Sequence, residues 1–140
     1  MPLCETAGQK SLTEATVQEI QLELLRRTQH NALDGSRVVA SLLAHRDFWE
    51  AVLLDRYCFS NPGKLPLSGL IKLRDLPDNF WNVDTLYLLT PSAESARRLA
   101  RLIEEEDWGG MVSVHADRDD VNSALGGSRP GQAVVMVWWD

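Results

Sequence analysis

The chain has 140 residues, 44% hydrophobic and 24% charged, a size and balance that suit one globular domain and argue against chain-wide disorder. A domain of this length hides roughly two thirds of its unfolded surface, so it can hold itself together without disulfide or metal staples. The net charge of −6 repels phosphate backbones and anionic lipid, which disfavours nucleic-acid and membrane-surface partners.

That charge is uneven. Residues 1–70 carry 7 basic and 8 acidic side chains, a net of −1, and residues 71–140 carry 7 and 12, a net of −5. The two cysteines, Cys4 and Cys58, form neither a C-x-x-C pair nor a zinc set, a usage that fits a reducing compartment. MPLCETAGQK has no apolar stretch of signal-peptide type. The longest apolar run, Ala133 to Trp139, is far short of the roughly 20 residues that span a bilayer. A soluble, cytoplasmic protein is expected.

The first helix is expected to begin at Ser11, where Ser11 and Glu14 read as a capping box. Val17, Ile20 and Leu24 follow at helical spacing, as far as Thr28. His30 to Ser36 breaks the pattern, with Asp34-Gly35 as the turn and Ser36 as the next cap. Val38, Val39, Leu42 and Leu43 make one helical stripe, and Trp49, Val52, Leu53 and Tyr57 make a second. Asp47 and Glu50 offer a cap between them. Residues 1–58 are thus expected to be a helical portion, and 60–69, SNPGKLPLSG, a linker-like loop.

From residue 70 to 140 the pattern alternates. A short strand is expected at Leu70 to Leu73, and a firmer one over Asp84 to Thr90. A helix follows, capped by Thr90 with Pro91 in its first turn and stopped by Gly109-Gly110. Met111 to His115 reads as a strand, and Asp117 caps a short helix that ends at Gly126. Ala133 to Trp138, apolar throughout, reads as a buried final strand. The fold class expected is α/β (or α+β), one domain over residues 1–140. N-terminal helices would pack on a small parallel or mixed three- to four-stranded sheet, with β-α-β-α-β order in the C-terminal half.

His115, Asp117, Asp119 and Asp120 fall at the expected C-terminal end of a strand, where α/β sheets hold ligands. An imidazole and three carboxylates within six residues could ligate a hard cation such as Mg²⁺, although Val121 and Asn122 stand where an EF-hand needs an oxygen ligand and a glycine. Acidic residues in a first helical turn also serve simply as caps and dipole partners. Thr90 and Ser92 are candidate phosphate contacts at a helix start. Arg129, in the loop GGSRPG, is a candidate ligand contact on a mobile loop.

No G-x-S-x-G is present, and the His45-Arg46-Asp47 triplet lacks every other kinase element. Two of the five tryptophans, Trp138 and Trp139, close the chain, and with Trp81 they are candidate interface anchors.

Two functions follow as expectations. The first is a protein-binding accessory or regulatory module, immunity-like or inhibitor-like, for a basic partner. Self-association through the C-terminal strand, as in a homodimer, is compatible with it. The alternative is a small divalent-metal-assisted enzyme or a nucleotide- or phosphate-binding domain. There His115 would be base or ligand, Asp117, Asp119 and Asp120 would hold the cation, and Thr90 and Ser92 would touch phosphate.

Overall fold

The computed structural model describes residues 10–55, 62–63 and 72–140. Cys4, Cys58, Tyr57, most of the 60–69 linker and the start of the Leu70–Leu73 strand lie outside those residues.

Helix α1 spans Val17–Arg26 and is capped by Thr16, not Ser11. The sequence holds two successive boxes of the same form, Ser11–Glu14 and Thr16–Glu19, and the second closes. Thr16 accepts from the Glu19 N–H at 3.1 Å, and the Glu19 carboxylate accepts from the Thr16 N–H at 3.1 Å. Glu19 also pairs with Lys10 at 2.8 Å, which fixes the entering chain. The Lys10 hydrogen bond is the main reason that the Glu19 carboxyl titrates below its usual value. The buried face is Leu22 and Leu25, while Val17, expected inside, is exposed.

A two-residue ribbon follows, β1 (Gln29–His30) against β2 (Leu33–Asp34), turning through Asn31 in the left-handed region at φ 52°. Helix α2 is Gly35–Ala44, and Asp34 caps it by accepting from the Arg37 N–H. The cap thus falls two residues before Ser36. The reason is steric as well as polar, because a Cβ on Gly35 would sit 1.8 Å from the Leu25 carbonyl oxygen. Only glycine lets α2 start this close to the end of α1.

The second helical stripe does not form. After a single 3₁₀ turn at Arg46–Phe48, residues Ala51–Asp55 make strand β3. A short apolar run such as A-V-L-L reads equally well as helix or strand, and pairing decides it: all five residues of β3 have partners on the next strand. Arg46 covers the Trp49 ring at 4.1 Å and hydrogen-bonds the Trp49 and Glu50 carbonyls. Those bonds replace the expected Asp47–Glu50 cap. The helical portion therefore ends at Ala44, and residues 51–55 belong to the sheet. Leu73, the end of the expected Leu70–Leu73 strand, instead opens a 3₁₀ segment, Leu73–Asp78.

The remaining elements match their expected positions closely. They are β4 (Thr85–Thr90), α3 (Ala93–Glu105), β5 (Met111–His115), α4 (Arg118–Leu125) and β6 (Ala133–Trp138). Ser92, rather than Thr90, caps α3 by accepting from the Ser95 N–H at 3.0 Å. Gly126 ends α4 in the left-handed region at φ 69°, as its position predicted.

The connectivity differs from expectation. Among the described residues the main sheet has order β3-β4-β6-β5, and every neighbouring pair is antiparallel. β4 and β5 both run opposite to β6, so they are parallel to each other but not adjacent. A helical crossover makes two strands parallel without making them neighbours. Here the wholly apolar β6 fills the gap between them, where both of its faces can be covered.

The core lies between one face of this sheet and helices α1, α2 and α3. Leu86 and Leu88 of β4, Val135 and Val137 of β6, and Leu99 and Ile103 of α3 are all 0–1% exposed. Trp139 is buried there too, its indole N–H donating to the Trp108 carbonyl at 2.8 Å. Trp49 closes the α2 end, donating to the Leu42 carbonyl at 2.8 Å. The opposite face carries the alternate residues, and α4 packs on it.

Candidate functional site

The register sets out the second face row by row. Leu53, Tyr87, Met136 and Ser113 form one row across β3, β4, β6 and β5, and Ala51, Leu89, Val134 and His115 form the next. α4 sits over part of this surface with Val121 buried beneath it. A cleft of about 450 Å³ remains between helix and sheet, with Val121, Ala124 and Leu125 on one wall and Leu53, Val134 and Met136 on the other. Asp55, Tyr87, His115 and Asp120 supply its polar atoms. Burial, reinforced by the Asp55 and Asp84 carboxylates, raises the Tyr87 phenol above its usual value of 10.0. Tyr87 therefore stays an O–H donor at neutral pH.

The acidic cluster divides its labour. Asp117 accepts from the Asp120 N–H at 2.9 Å and so caps α4. That leaves the Asp120 carboxylate free to turn back to the strand, where it lies 3.7 Å from His115 Nδ1. The other ring nitrogen, Nε2, lies 3.0 Å from Ser113 Oγ. Ser113 was not among the sequence candidates, yet the signal was legible: residues two apart on a strand share a face. Asp119 is exposed. Among the described residues no three His, Cys, Asp or Glu side chains gather to hold a metal ion, so the Mg²⁺ arrangement of Asp117, Asp119 and Asp120 is not formed.

The phosphate candidates are occupied otherwise. Thr90 is wholly buried, donating to the Ala133 carbonyl at 2.8 Å and the Ser92 carbonyl at 3.0 Å. Ser92 is spent on capping. Arg129 pairs with Glu50 at the start of β3, and Gln132 donates to the same Glu50 oxygen at 2.9 Å. This pins the 126–131 loop across the sheet end, contrary to a free lid. Trp139 is a core residue, 1% exposed, whereas Trp81 and Trp138 are half-buried.

The two sheet edges contrast. β3 is closed by α1: Gln18 accepts from the Val52 N–H at 2.6 Å and donates to the Val52 carbonyl at 2.9 Å. Gln21 accepts from the Leu54 N–H at 3.2 Å. Two side-chain amides thus stand in for a missing strand. β5 is the other edge, and among the described residues nothing pairs with its outer side. Its sequence, MVSVH, has no lysine, proline or acidic residue, and Met111 is 65% exposed. β6 is paired on both sides, so the C-terminal strand has no free backbone edge for self-association.

Among the described residues no helix is long and apolar enough to cross a membrane. Comparison with protein-family models, curated proteins and solved structures finds no match to this chain.

Proposed function

We infer that this chain is a cytoplasmic protein-binding module that takes an extended segment of a basic partner as an added strand along β5. The observation that carries this reading is the asymmetry of the edges. An unpaired strand edge invites pairing with other chains, and proteins blunt such edges with charge, proline or a covering element. α1 covers β3 with Gln18 and Gln21, while among the described residues β5 has no such device.

Strand addition gains its affinity from main-chain hydrogen bonds and its selectivity from alternate side chains. The charge argues for the partner's chemistry. Residues 71–140 carry a net of −5, and Glu104, Glu105, Glu106 and Asp107 precede β5 while Asp117, Asp119 and Asp120 follow it. A segment with lysine or arginine at its ends is drawn to that frame, and the attraction weakens with salt.

The test is selection from a library of displayed extended peptides, followed by amide chemical-shift mapping. Basic-flanked sequences should be selected, and the shifts should cluster on residues 111–115. Selection without charge bias, or shifts centred on α3, α1 or α2, overturns the reading. Pairing with a second copy of the chain would appear as concentration-dependent mass without peptide.

A further inference from the structure

We propose that Ser113, His115 and Asp120 form a nucleophile–base–carboxylate relay that hydrolyses small esters whose apolar part lies in the cleft under α4. Ser113 Oγ and His115 Nε2 are 3.0 Å apart, at the distance a base needs to take the hydroxyl proton. Asp120 faces the other ring nitrogen at 3.7 Å, which favours the tautomer with the proton on Nδ1 and leaves Nε2 as the acceptor. That separation is longer than a hydrogen bond, and catalytic contacts of this sort commonly tighten once substrate is bound. The arrangement has the order of roles on which unrelated serine hydrolases converge, recognised by geometry rather than by sequence position.

Three features separate this group from an incidental surface contact. Asp117 supplies the cap of α4, so the Asp120 carboxylate is not consumed by the helix terminus. All three side chains are accessible, Ser113 exposed and His115 and Asp120 at 42% and 64%, so a substrate can reach them. His115 and Asp120 also line the cleft of about 450 Å³, a volume in the range of small-ligand sites. Its walls are aliphatic, which suits the acyl chain of an ester, and the neutral Tyr87 hydroxyl offers a donor beside it.

The step balances without cofactor. Ser113 Oγ attacks the ester carbonyl and its proton passes to His115 Nε2. The carbon–oxygen bond to the alcohol breaks, and the alcohol leaves with that proton. Water then attacks the acyl-serine, giving its proton to Nε2, and the carboxylic acid departs as Ser113 regains its hydrogen. Every second residue of the β5 edge turns its N–H away from β6, and these groups are the donors available to the oxyanion. The nucleophile, base and carboxylate are side chains, so the inference does not rest on strand addition, although an added strand would compete for the same outward N–H groups of β5.

The experiment is turnover of p-nitrophenyl acetate and butyrate by the intact chain, with fluorophosphonate labelling read by peptide mass spectrometry. Turnover at least about 100-fold above that of Ser113→Ala is expected, the scale of one positioned base. The label should sit on Ser113, and Asp120→Asn should lower kcat while leaving KM largely unchanged. Ser113 is exposed, so Ser113→Ala should melt as the parent does, and the comparison is not confounded by folding. Equal turnover by the parent and Ser113→Ala, or a label that avoids Ser113, overturns the proposal.

Discussion

Replacing Gln18 by alanine tests the claim that the β3 edge is sealed by a side chain. The amide makes two hydrogen bonds to one backbone residue, accepting from the Val52 N–H at 2.6 Å and donating to its carbonyl at 2.9 Å. Each such bond contributes about 0.5–1.5 kcal/mol net, and more where the abandoned partner stays buried. The site is half-buried, so water recovers part of the loss. We therefore expect Gln18→Ala to destabilise by about 1–2 kcal/mol.

Urea denaturation should show this as a lower midpoint at unchanged slope. Hydrogen exchange localises it, since the Val52 amide, deprived of its own acceptor, should exchange about 5–30-fold faster, while core amides of β6 quicken no more than the loss of global stability dictates. Adding Gln21→Ala frees the Leu54 N–H as well, and the double variant should associate at high concentration through its opened edge. An unchanged midpoint, together with an unchanged Val52 exchange rate, would refute the reasoning and remove the contrast between edges on which the binding proposal depends.

Four further outcomes are expected. Met111→Lys, on the open edge and 65% exposed, should abolish strand addition while shifting stability by no more than about 0.5 kcal/mol; retained peptide binding would count against the docking site. Gly35→Ala should cost at least about 3 kcal/mol, because the new Cβ would fall 1.8 Å from the Leu25 carbonyl oxygen, and a melting curve like the parent's would show that α1 and α2 need not touch there. Trp139→Phe keeps most of the buried ring but strands the Trp108 carbonyl, so a loss of about 1–3 kcal/mol in denaturation is expected. The Glu106 carboxyl is held below its usual value of 4.5, chiefly by the Ser41 hydroxyl and against the pull of burial. Because its folded pKa is depressed, its contribution is present above the unfolded value and lost as pH falls through the folded one. Stability should accordingly decline in acid below about pH 4.5, less steeply in Ser41→Ala.

Local chemistry made much of the second half legible. Asp117 and Gly126 mark the two ends of α4 by rules that depend on adjacent residues only, capping and the left-handed stop. The strands at 85–90, 111–115 and 133–138 show as short apolar runs between breakers. Residues 51–55 do not, because a short stretch of alanine, valine and leucine fits either period until a partner strand is at hand. The same limit explains the first capping box: Ser11 and Thr16 carry equal local signals, and Lys10 pairing with Glu19 selects one.

The candidate site divides along the same line. His115 and Asp120 are marked by type and by their place at a strand end and helix start, and Ser113 follows from the period of two. That Asp120 turns to the imidazole while Asp117 caps, that Thr90 is buried, and that Arg129 is tied to Glu50 depend on side chains that meet across the fold.

The amino-acid order alone determined where the helices and strands of the second half begin and end, the acidity of that half, and which residue types stand at one rim of the sheet. Strand order, the antiparallel insertion of β6 between β4 and β5, and the closing of one edge by Gln18 and Gln21 were decided only in three dimensions. Caps, turns and periodicity are satisfied by neighbours within a few residues, whereas pairing is a competition among distant segments for the same backbone donors and acceptors.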